Sequence, residues 1–156
     1  MAISTKKGDS GYTDIYQKRV KKNEPIISLL GTIDEAIAVV VIAQTVTKLN
    51  ELEAIVSDLS LIASILSGYK EEKDFSKECI TSFEKEIELF GSISSFSYPF
   101  DNYPAAVLNH TRTIIRRLER EYITYSEDYD FSEIISKYLN RLSDYLFVLE
   151  FKSFRY

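Results

Sequence analysis

The sequence predicts an all-α protein, folded as a five-helix antiparallel bundle. Apolar residues recur at the three- and four-residue spacing of a buried helix face along several stretches of the chain. Short polar or glycine-containing segments separate these stretches, which is typical of bundles whose successive helices run antiparallel. Strand patterns are weak everywhere except for a short extended piece expected at 2–6.

The first predicted helix is apolar along most of its length. Thr32 and Glu35 have the spacing of a capping box, so we expect the helix to begin there and to run to about Leu49. Asp34 stands inside this apolar stretch, where an unpaired carboxylate is costly. Two explanations fit Asp34: it complements the helix dipole in the first turn, or it has a specific ionic partner.

The other four helices follow from similar signals. Asn50 is suited to cap the second helix, and Ser67-Gly68 to end it. Helical spacing of apolar residues marks three more helices, and serine, glycine, proline and asparagine mark the loop before the fourth. The third, fourth and fifth helices are expected at about 76–90, 105–125 and 131–151, and the loop at 91–104.

Length and composition limit the classes of protein. With 156 residues and 45% hydrophobic content, the chain is long enough for one compact domain with its own core. We divide it into a polar N-terminal segment, 1–25, and a helical bundle, 26–156. A net charge of −5 and a pI near 5.0 argue against a nucleic-acid partner.

The cysteine and histidine content excludes several kinds of site. Cys79 and His110 are the only residues of their types, so an intramolecular disulfide and the usual zinc sites are excluded. A reducing, cytoplasmic setting fits this composition. No apolar run follows the N-terminal lysines, and the longest run, 36–43, is shorter than the roughly 20 residues that span a bilayer. We therefore expect a soluble protein without a membrane partner.

The segment TKKGDSGYTD, 5–14, has the composition of a phosphate-binding loop. Its glycines, lysines and threonines can supply backbone N–H groups and positive charge to phosphate oxygens. It is not a Walker A loop, because the Gly-Lys-Ser/Thr sequence is missing. A disordered polar N-terminus would have a similar composition, so the segment alone leaves both explanations open.

The segment HTRTIIRRLERE, 110–121, concentrates positive charge in an acidic protein. At 100° per residue, one side of this helix is apolar and consists of Val107, Leu108, Thr111, Ile114, Ile115, Leu118 and Tyr122. Another side consists of Arg112, Arg116, Glu119 and Arg120, and Arg117 stands apart from both. Arginines repeated every four residues repel one another, so a bound polyanion or acidic partner explains this side better than exposure to solvent.

The segment NRLSDYLF, 140–147, places short polar side chains beside an apolar stripe. The polar side consists of Asn140, Ser143 and Asp144, with Phe147 one turn further on. Such side chains can fix a ligand on a bundle helix, and they can equally form an ordinary exposed face.

Taken in order along the chain, TKKGDSGYTD, RVKK, GTIDE, RTIIRRLER and NRLSDYLF resemble motifs of the cobalamin adenosyltransferases of the propanediol-utilisation type. The resemblance covers nearly the whole chain, and the last two motifs are the most specific. It implies a five-helix bundle that forms a homotrimer with active sites between neighbouring subunits. It also implies transfer of the adenosyl group of ATP to cob(I)alamin, with Mg²⁺ on the phosphates and a reductase or a cobalamin-dependent acceptor enzyme as partner.

The resemblance also implies roles for individual residues. The implied ATP-binding residues are Thr5, Lys6, Lys7, Gly8, Thr13, Asp14, Lys22, Arg116, Arg117, Glu119, Arg120 and Asn140. The implied catalytic residues are Arg116, Phe96, Asp34 and Arg112. Asp34 and Arg112 would pair across the subunit boundary. Phe96 would face the corrin and help to displace the lower axial ligand of cobalt, and no metal site made by the protein itself is implied.

The sequence departs from the family pattern in several places. The departures fall at Lys7, at Gln17-Lys18, at 99–101 and at Asn109. Asn109 stands where the family has a histidine, so His110 is one position out of place and is assigned no role. We expect the triphosphate and corrin loops to differ in shape from those of the family.

Two other functions stay open from the sequence. A helical nucleotide pyrophosphohydrolase needs opposed carboxylate pairs for several Mg²⁺ ions, and only Glu84 and Glu88 form an obvious i, i+4 pair. A non-catalytic helical module could bind a nucleotide or another polyanion, such as RNA or an acidic protein, through the arginines. The net negative charge argues against the RNA-binding form of this module.

Overall fold

The computed structural model describes residues 8–93 and 98–153, and this part of the chain folds into five helices and one β-hairpin. The helices are α1 (Pro25–Thr47), α2 (Glu51–Leu66), α3 (Glu78–Phe90), α4 (Tyr103–Ser126) and α5 (Glu133–Ser153). The hairpin consists of β1 (Tyr12–Ile15) and β2 (Lys18–Lys21), and a single 3-10 turn (Glu72–Asp74) precedes α3. The predicted all-α bundle is confirmed.

The core lies where α4 packs between α1 and α5, with α2 against α1 and α3 against α5. Every helix contributes apolar side chains that are shielded from solvent, as the helical periodicity predicts. On α4 the buried residues are Ala105, Leu108, Thr111, Ile114, Ile115, Leu118 and Tyr122. The predicted apolar side of α4 is therefore confirmed, and Val107 is partly buried at its edge.

The start of α1 differs from the prediction. The helix begins at Pro25 rather than at Thr32, because proline has no N–H to lose in the first turn and its φ already suits a helix. Thr32 lies about two turns further on and is no cap. Its hydroxyl lies 3.3 Å from the carbonyl oxygen of Ser28 and 2.5 Å from Oε2 of Glu121 on α4. The predicted capping box is wrong, since Thr32 joins two helices instead.

The remaining helix ends agree with the prediction to within a few residues. Asn50 precedes α2 as expected, but its backbone is helical and its side chain forms no capping hydrogen bond. The stop at Ser67-Gly68 is confirmed, and Gly68 has φ of +83°, which favours glycine. The start of α4 is set by Asn102, whose Oδ1 accepts a hydrogen bond from the N–H of Ala105 at 3.0 Å.

The β-hairpin was not predicted. Its two strands have only four residues each, and their sequences, YTDI and KRVK, are too short and too charged to show a clear strand pattern. The register places Asp14 opposite Arg19, and their side chains form an ion pair of 3.0 Å. At the turn, Tyr16 packs edge-on against Tyr69, which anchors the hairpin beside the end of α2. The strand expected at 2–6 lies outside the described residues.

The outer side of α1 is unusually apolar. Among the residues that the structure describes, α1 is the one helix that is long and apolar enough to cross a membrane, with 23 residues and a mean hydropathy of 2.2. Only 33% of its most apolar window is buried, and Val41 and Ile42 are 48% and 51% exposed. One side of α1 thus belongs to the core, while the other presents apolar side chains outward.

A hydrogen-bonded tyrosine stabilises the connection between α4 and α5, and its contribution can be tested. The buried hydroxyl of Tyr122 donates to the carbonyl oxygen of Ser132 at 3.2 Å and accepts from the N–H of Ser132 at 2.8 Å. We predict that Tyr122→Phe lowers the free energy of unfolding by about 1–3 kcal/mol, because it leaves the buried N–H without a partner. Urea denaturation at one fixed protein concentration measures this.

The matched control is Tyr129→Phe at the same end of the bundle, where the tyrosine is 48% exposed and stacks on Tyr125. This change keeps the ring and should alter the free energy of unfolding by less than about 0.5 kcal/mol. Equal losses in the two variants would contradict the role given to the Tyr122 hydroxyl.

Candidate active site

The arginines of α4 lie on the sides of the helix that the core leaves free. Arg116 and Arg120 are both exposed, and Nη1 of Arg120 donates to the carbonyl oxygen of Arg116 at 3.1 Å. The side chain of Arg116 makes no hydrogen bond or ion pair with the rest of residues 8–93 and 98–153. Its guanidinium is therefore available for a ligand.

Arg117 points to a different neighbour, as its separate angular position predicts. Its Nη2 forms a hydrogen-bonded ion pair with Oε2 of Glu35 on α1. The contact between Thr32 and Glu121 lies on the same pair of helices, about one turn away. These two contacts fix the rotation of α4 relative to α1.

Asn140, the predicted ATP-binding residue of α5, is held by a chain of polar contacts. Its Nδ2 donates to Oε1 of Glu119 at 2.8 Å, and its Oδ1 accepts from Nη1 of Arg141 at 2.6 Å. Arg141 in turn donates from Nε to Oε1 of Glu84 on α3 at 3.1 Å. The structure thus brings together Asn140 and Glu119, and it adds Arg141 and Glu84, which sequence reasoning did not include in the site.

Glu84 receives a second cation from α5. Nζ of Lys137 lies 3.0 Å from Oε1 of Glu84, the same oxygen that accepts from Arg141. The hydrogen bond from Lys137, followed by that from Arg141, holds the pKa of the Glu84 carboxyl below its usual value of 4.5. Glu84 is therefore an anion at neutral pH and keeps Arg141 against Asn140.

Arg112 is the most shielded of the α4 arginines. Its side chain is 17% exposed, and its Nε lies 3.7 Å from Oε2 of Glu150 on α5, whose side chain is fully buried. Nη2 of Arg112 donates to Oδ1 of Asn109 at 2.7 Å, and its Cζ lies 5.5 Å from the centre of the Phe147 ring. Burial raises the pKa of the Glu150 carboxyl, and the charge of Arg112 opposes that rise.

Asp34 is exposed on α1 and has no hydrogen bond or ion pair with the described part of its own chain. It lies more than two turns inside the helix, so the first-turn explanation of this acid is wrong. Within one chain Arg112 pairs with Glu150 rather than with Asp34. The predicted pairing across a subunit boundary stays a prediction.

The N-terminal ATP residues that the structure describes lie in and beside the hairpin. Thr5, Lys6 and Lys7 are outside the described residues, whereas Gly8, Thr13, Asp14 and Lys22 are described. Nζ of Lys22 would lie only 2.9 Å from a Cβ added to Gly8, so the glycine lets the lysine fold over the loop. The N–H of Lys22 also donates to the carbonyl oxygen of Gly11 at 2.9 Å. The polar contacts that Asp14 makes within the described chain stay inside the hairpin.

A pocket of about 430 Å³ opens between the start of α1 and the end of α4. It is lined by Pro25, Ser28, Leu29, Arg117, Arg120, Glu121, Thr124, Tyr125, Asp128 and Tyr129. Sequence reasoning identified the two arginines but not the pocket, because its walls come from the start of α1 and the end of α4, which are far apart in the sequence. The pocket places open space directly beside part of the arginine cluster.

Phe96, the predicted corrin residue, lies outside the described residues. The aromatic residues that follow it, Tyr98 and Phe100, are strongly exposed, with Phe100 at 81%. Within 8–93 and 98–153, no three His, Cys, Asp or Glu side chains are grouped so that they could hold a metal ion.

A model of the cobalamin adenosyltransferase family matches residues 3–153. The chain belongs to the cobalamin adenosyltransferase family. A PduO-type ATP:corrinoid adenosyltransferase variant from Lactobacillus reuteri, solved with ATP, has a TM-score of 0.84 to this chain at 26% identity, covering 97% of this chain and 94% of that one. A second variant of that type, solved with cobalamin and ATP, has a TM-score of 0.83 at 25% identity, covering 96% and 89%.

Curated members of this family are similar to the chain over nearly its whole length. The corrinoid adenosyltransferases PduO of Citrobacter freundii and Salmonella typhimurium are 29% and 30% identical to the chain over 163 residues. Each alignment covers 96% of this chain but 49% and 48% of the relatives, so the chain spans about half of their length. The corrinoid adenosyltransferase of Bacillus subtilis is 28% identical, with 94% of this chain and 83% of the relative covered.

The contact between Glu84 and its two cations predicts a pH-dependent stability. A carboxyl whose pKa is lowered on folding stabilises the protein above its unfolded pKa, and this contribution is lost as the pH falls through the folded value. We therefore expect the wild type to be more stable than Glu84→Gln at pH 7, and the difference to close as the pH falls below 4.5. Thermal unfolding between pH 7 and pH values below 4.5 measures the difference in stability between the wild type and Glu84→Gln.

Glu88→Gln is the matched control, because it removes an exposed glutamate one turn further along α3. This variant should follow the wild type. A constant gap between Glu84→Gln and the wild type at every pH would contradict the ion-pair account.

Proposed function

We propose that this protein transfers the 5′-deoxyadenosyl group of ATP to cob(I)alamin, forming adenosylcobalamin and releasing triphosphate. The observation that carries the proposal is the arginine cluster of α4, with an unpaired Arg116, in a chain that matches the adenosyltransferase family over residues 3–153. The similarity to PduO-type enzymes solved with ATP and cobalamin supports it.

The proposed reaction needs positioning more than acid–base catalysis. The electron pair of cobalt(I) attacks C5′ of the ribose, a Co–C bond forms, and the C5′–O bond breaks with its electrons leaving on triphosphate. No proton has to be taken up by a protein base. The protein's part is to hold the two reactants in line and to stabilise the charge of the leaving group. Arginine, lysine and backbone N–H groups suit this task.

The residues of α4 and α5 would bind the nucleotide from one side. Arg116, exposed and without a partner, would contact the triphosphate together with Arg120. Arg117 can reach the nucleotide while it keeps Glu35, because a guanidinium has several N–H donors. Asn140 would use the orientation that Glu119 and Arg141 impose on its amide.

The N-terminal segment would bind the phosphates from the other side. In this proposal Thr5, Lys6, Lys7 and Gly8 wrap the triphosphate, and Thr13, Asp14 and Lys22 complete the segment. The position of Lys22 supports it, since the lysine ammonium lies close to Gly8. Mg²⁺ would be held mainly by the substrate phosphates rather than by side chains of the protein, and it would help to neutralise the charge of the triphosphate.

We further propose that the protein acts as a homotrimer whose active sites lie between subunits. The outward side of α1 supports this, because the apolar side chains of Ala38, Val41 and Ile42 are exposed there, on the side that also carries Asp34. Apolar residues at this density are typical of surfaces that another chain covers. On this surface Asp34 of one copy would meet Arg112 of the next.

The remaining partners follow from the chemistry. Cob(I)alamin has to be supplied by a one-electron reduction of cob(II)alamin, so a reductase is proposed upstream, and a cobalamin-dependent enzyme would take the product. The proposed setting is the cytoplasm, where reductants are available. No nucleic acid or membrane takes part in this proposal.

The activity is tested by incubating the protein with ATP, Mg²⁺ and chemically reduced cobalamin. The spectrum of the Co–C product should appear with intact triphosphate. We predict that Arg116→Ala lowers turnover by at least about 10²-fold, the loss typical of a removed charge-stabilising donor, while the helical circular dichroism is unchanged. Lys85→Ala, which removes an exposed cation from α3, is the control and should keep activity. Near-normal turnover of Arg116→Ala would refute the assignment.

The proposed trimer is tested by a substitution on the outward side of α1. Val41→Asp should give monomers in sedimentation velocity without loss of helicity, because it places a charge in the proposed interface and outside the core. Leu89→Asp is the control and should keep the wild-type size, since Leu89 is 72% exposed on α3, outside the proposed interface. A wild type that sediments as a monomer, or a Val41→Asp variant that keeps the wild-type size, would contradict the trimer.

The corrin role of Phe96 is tested by two assays. An apolar ring that displaces the lower ligand would make cob(II)alamin easier to reduce, through the effect of ligation on metal potential. Phe96→Ala should therefore slow the reaction that starts from cob(II)alamin and spare the one that starts from cob(I)alamin. Phe131→Ala, which removes an exposed ring between α4 and α5, is the control. Equal losses in both assays of Phe96→Ala would exclude the role.

A further inference from the structure

Glu150 is a carboxylate in the core near the end of α5. Its exposure is 0%, and neither of its side-chain oxygens has a hydrogen-bond partner among the described residues. A buried carboxylate without hydrogen bonds is costly unless a cation lies close by. An apolar side chain would pack there at no such cost, so the acid calls for a specific partner.

Arg112 is that partner. The Nε of Arg112 is itself buried and lies 3.7 Å from Oε2 of Glu150, which is an ion pair without a hydrogen bond. The two side chains come from α4 and α5, the pair of helices with the most extensive packing in the bundle. Arg112 is thereby drawn against the bundle instead of extending freely into solvent.

Two further groups hold the same guanidinium. Asn109 accepts from Nη2 at 2.7 Å, and the Phe147 ring lies under Cζ at 5.5 Å. Nη1 of Arg112 makes no hydrogen bond within residues 8–93 and 98–153. Because a guanidinium is a rigid plane, fixing its Nε and Nη2 also fixes the direction in which the Nη1 donors point.

We propose that Glu150 is a positioning residue that holds the inner edge of Arg112, so that the outer edge is presented to Asp34 of a second copy of the chain. This inference rests on the proposed function, in which Arg112 lies at the subunit boundary. Asp34 supports it, because it is exposed and has no partner in the described part of its own chain. Arg112 would then bridge two carboxylates, one buried in its own subunit and one from the neighbour.

Asn109 agrees with this inference. It occupies the position at which the family resemblance leads us to expect histidine, and in this chain its side chain takes up one Arg112 donor. The Asn109 contact is local, from one turn of α4 to the next, whereas Glu150 reaches across from α5. Glu150 is therefore the group that ties the orientation of Arg112 to the packing of the bundle.

The test is a double-mutant cycle that combines Glu150→Gln with Asp34→Asn and reads the concentration at which the trimer half-dissociates. Glu150→Gln keeps the shape of the side chain and removes its charge. We expect each single variant to raise this concentration by about tenfold, within the range for residues that share a partner. The double variant should be little weaker than the stronger single variant, because both changes act through Arg112.

Three measurements keep the outcome clear. Glu88→Gln, which removes an exposed glutamate on α3, should leave dissociation unchanged. If Glu150→Gln does not fold by circular dichroism, Glu150→Met, which removes the charge and keeps an unbranched side chain of similar length, replaces it in the cycle with the same expected non-additivity. Additive effects in the cycle, or no effect of Glu150→Gln, would overturn the positioning role. Dissociation of the trimer is measured without substrates. The adenosyltransferase activity of the wild type is measured separately, from formation of its Co–C product, so the two proposals can fail independently.

Discussion

The burial of one side of α4 between α1 and α5 is the constraint on which the other features depend. Leu108, Ile115 and Leu118 are fully shielded on this side. An α-helix turns by about 100° per residue, so burying these positions forces Arg116 and Arg120 to the opposite side. The same packing brings Asn140 of α5 within hydrogen-bond distance of Glu119. A core interaction thus places the charged groups that we propose bind ATP, with no loop needed to position them.

α1 has a different role from the other helices, because both of its sides are apolar. Its inner side supplies residues such as Ile33 and Val40 to the core, and its outer side exposes Val41 and Ile42. This double character explains why its composition resembles that of a membrane-spanning helix. In the proposed trimer the outer side is covered by a second copy, whose Arg112 would then pair with Asp34.

Much of the fold could be predicted from the sequence, because the core helices have clear apolar periodicity. The capping box at Thr32 failed for a physical reason: a threonine inside a helix can also serve a tertiary contact, here with Glu121 on α4. The hairpin escaped prediction because strands of only four residues, YTDI and KRVK, carry little periodic signal. In the candidate site, the partners of Arg112 and Asn140 depend on which helices face each other. Local spacing does not contain that information, so the contacts of Glu84 with Arg141 and of Glu150 with Arg112 emerged only from the structure.

In the proposed trimer, each active site would combine the N-terminal segment of one copy with α4 of another. This arrangement is tested most directly by mixing two variants that are each expected to be inactive, Lys22→Ala and Arg116→Ala, under conditions that allow subunits to exchange, and measuring adenosylcobalamin formation. About a quarter of the boundaries in a random mixture carry both intact halves, so activity should return to about that fraction of the wild type. If each site is built within one chain, the mixture will stay inactive although the subunits have exchanged.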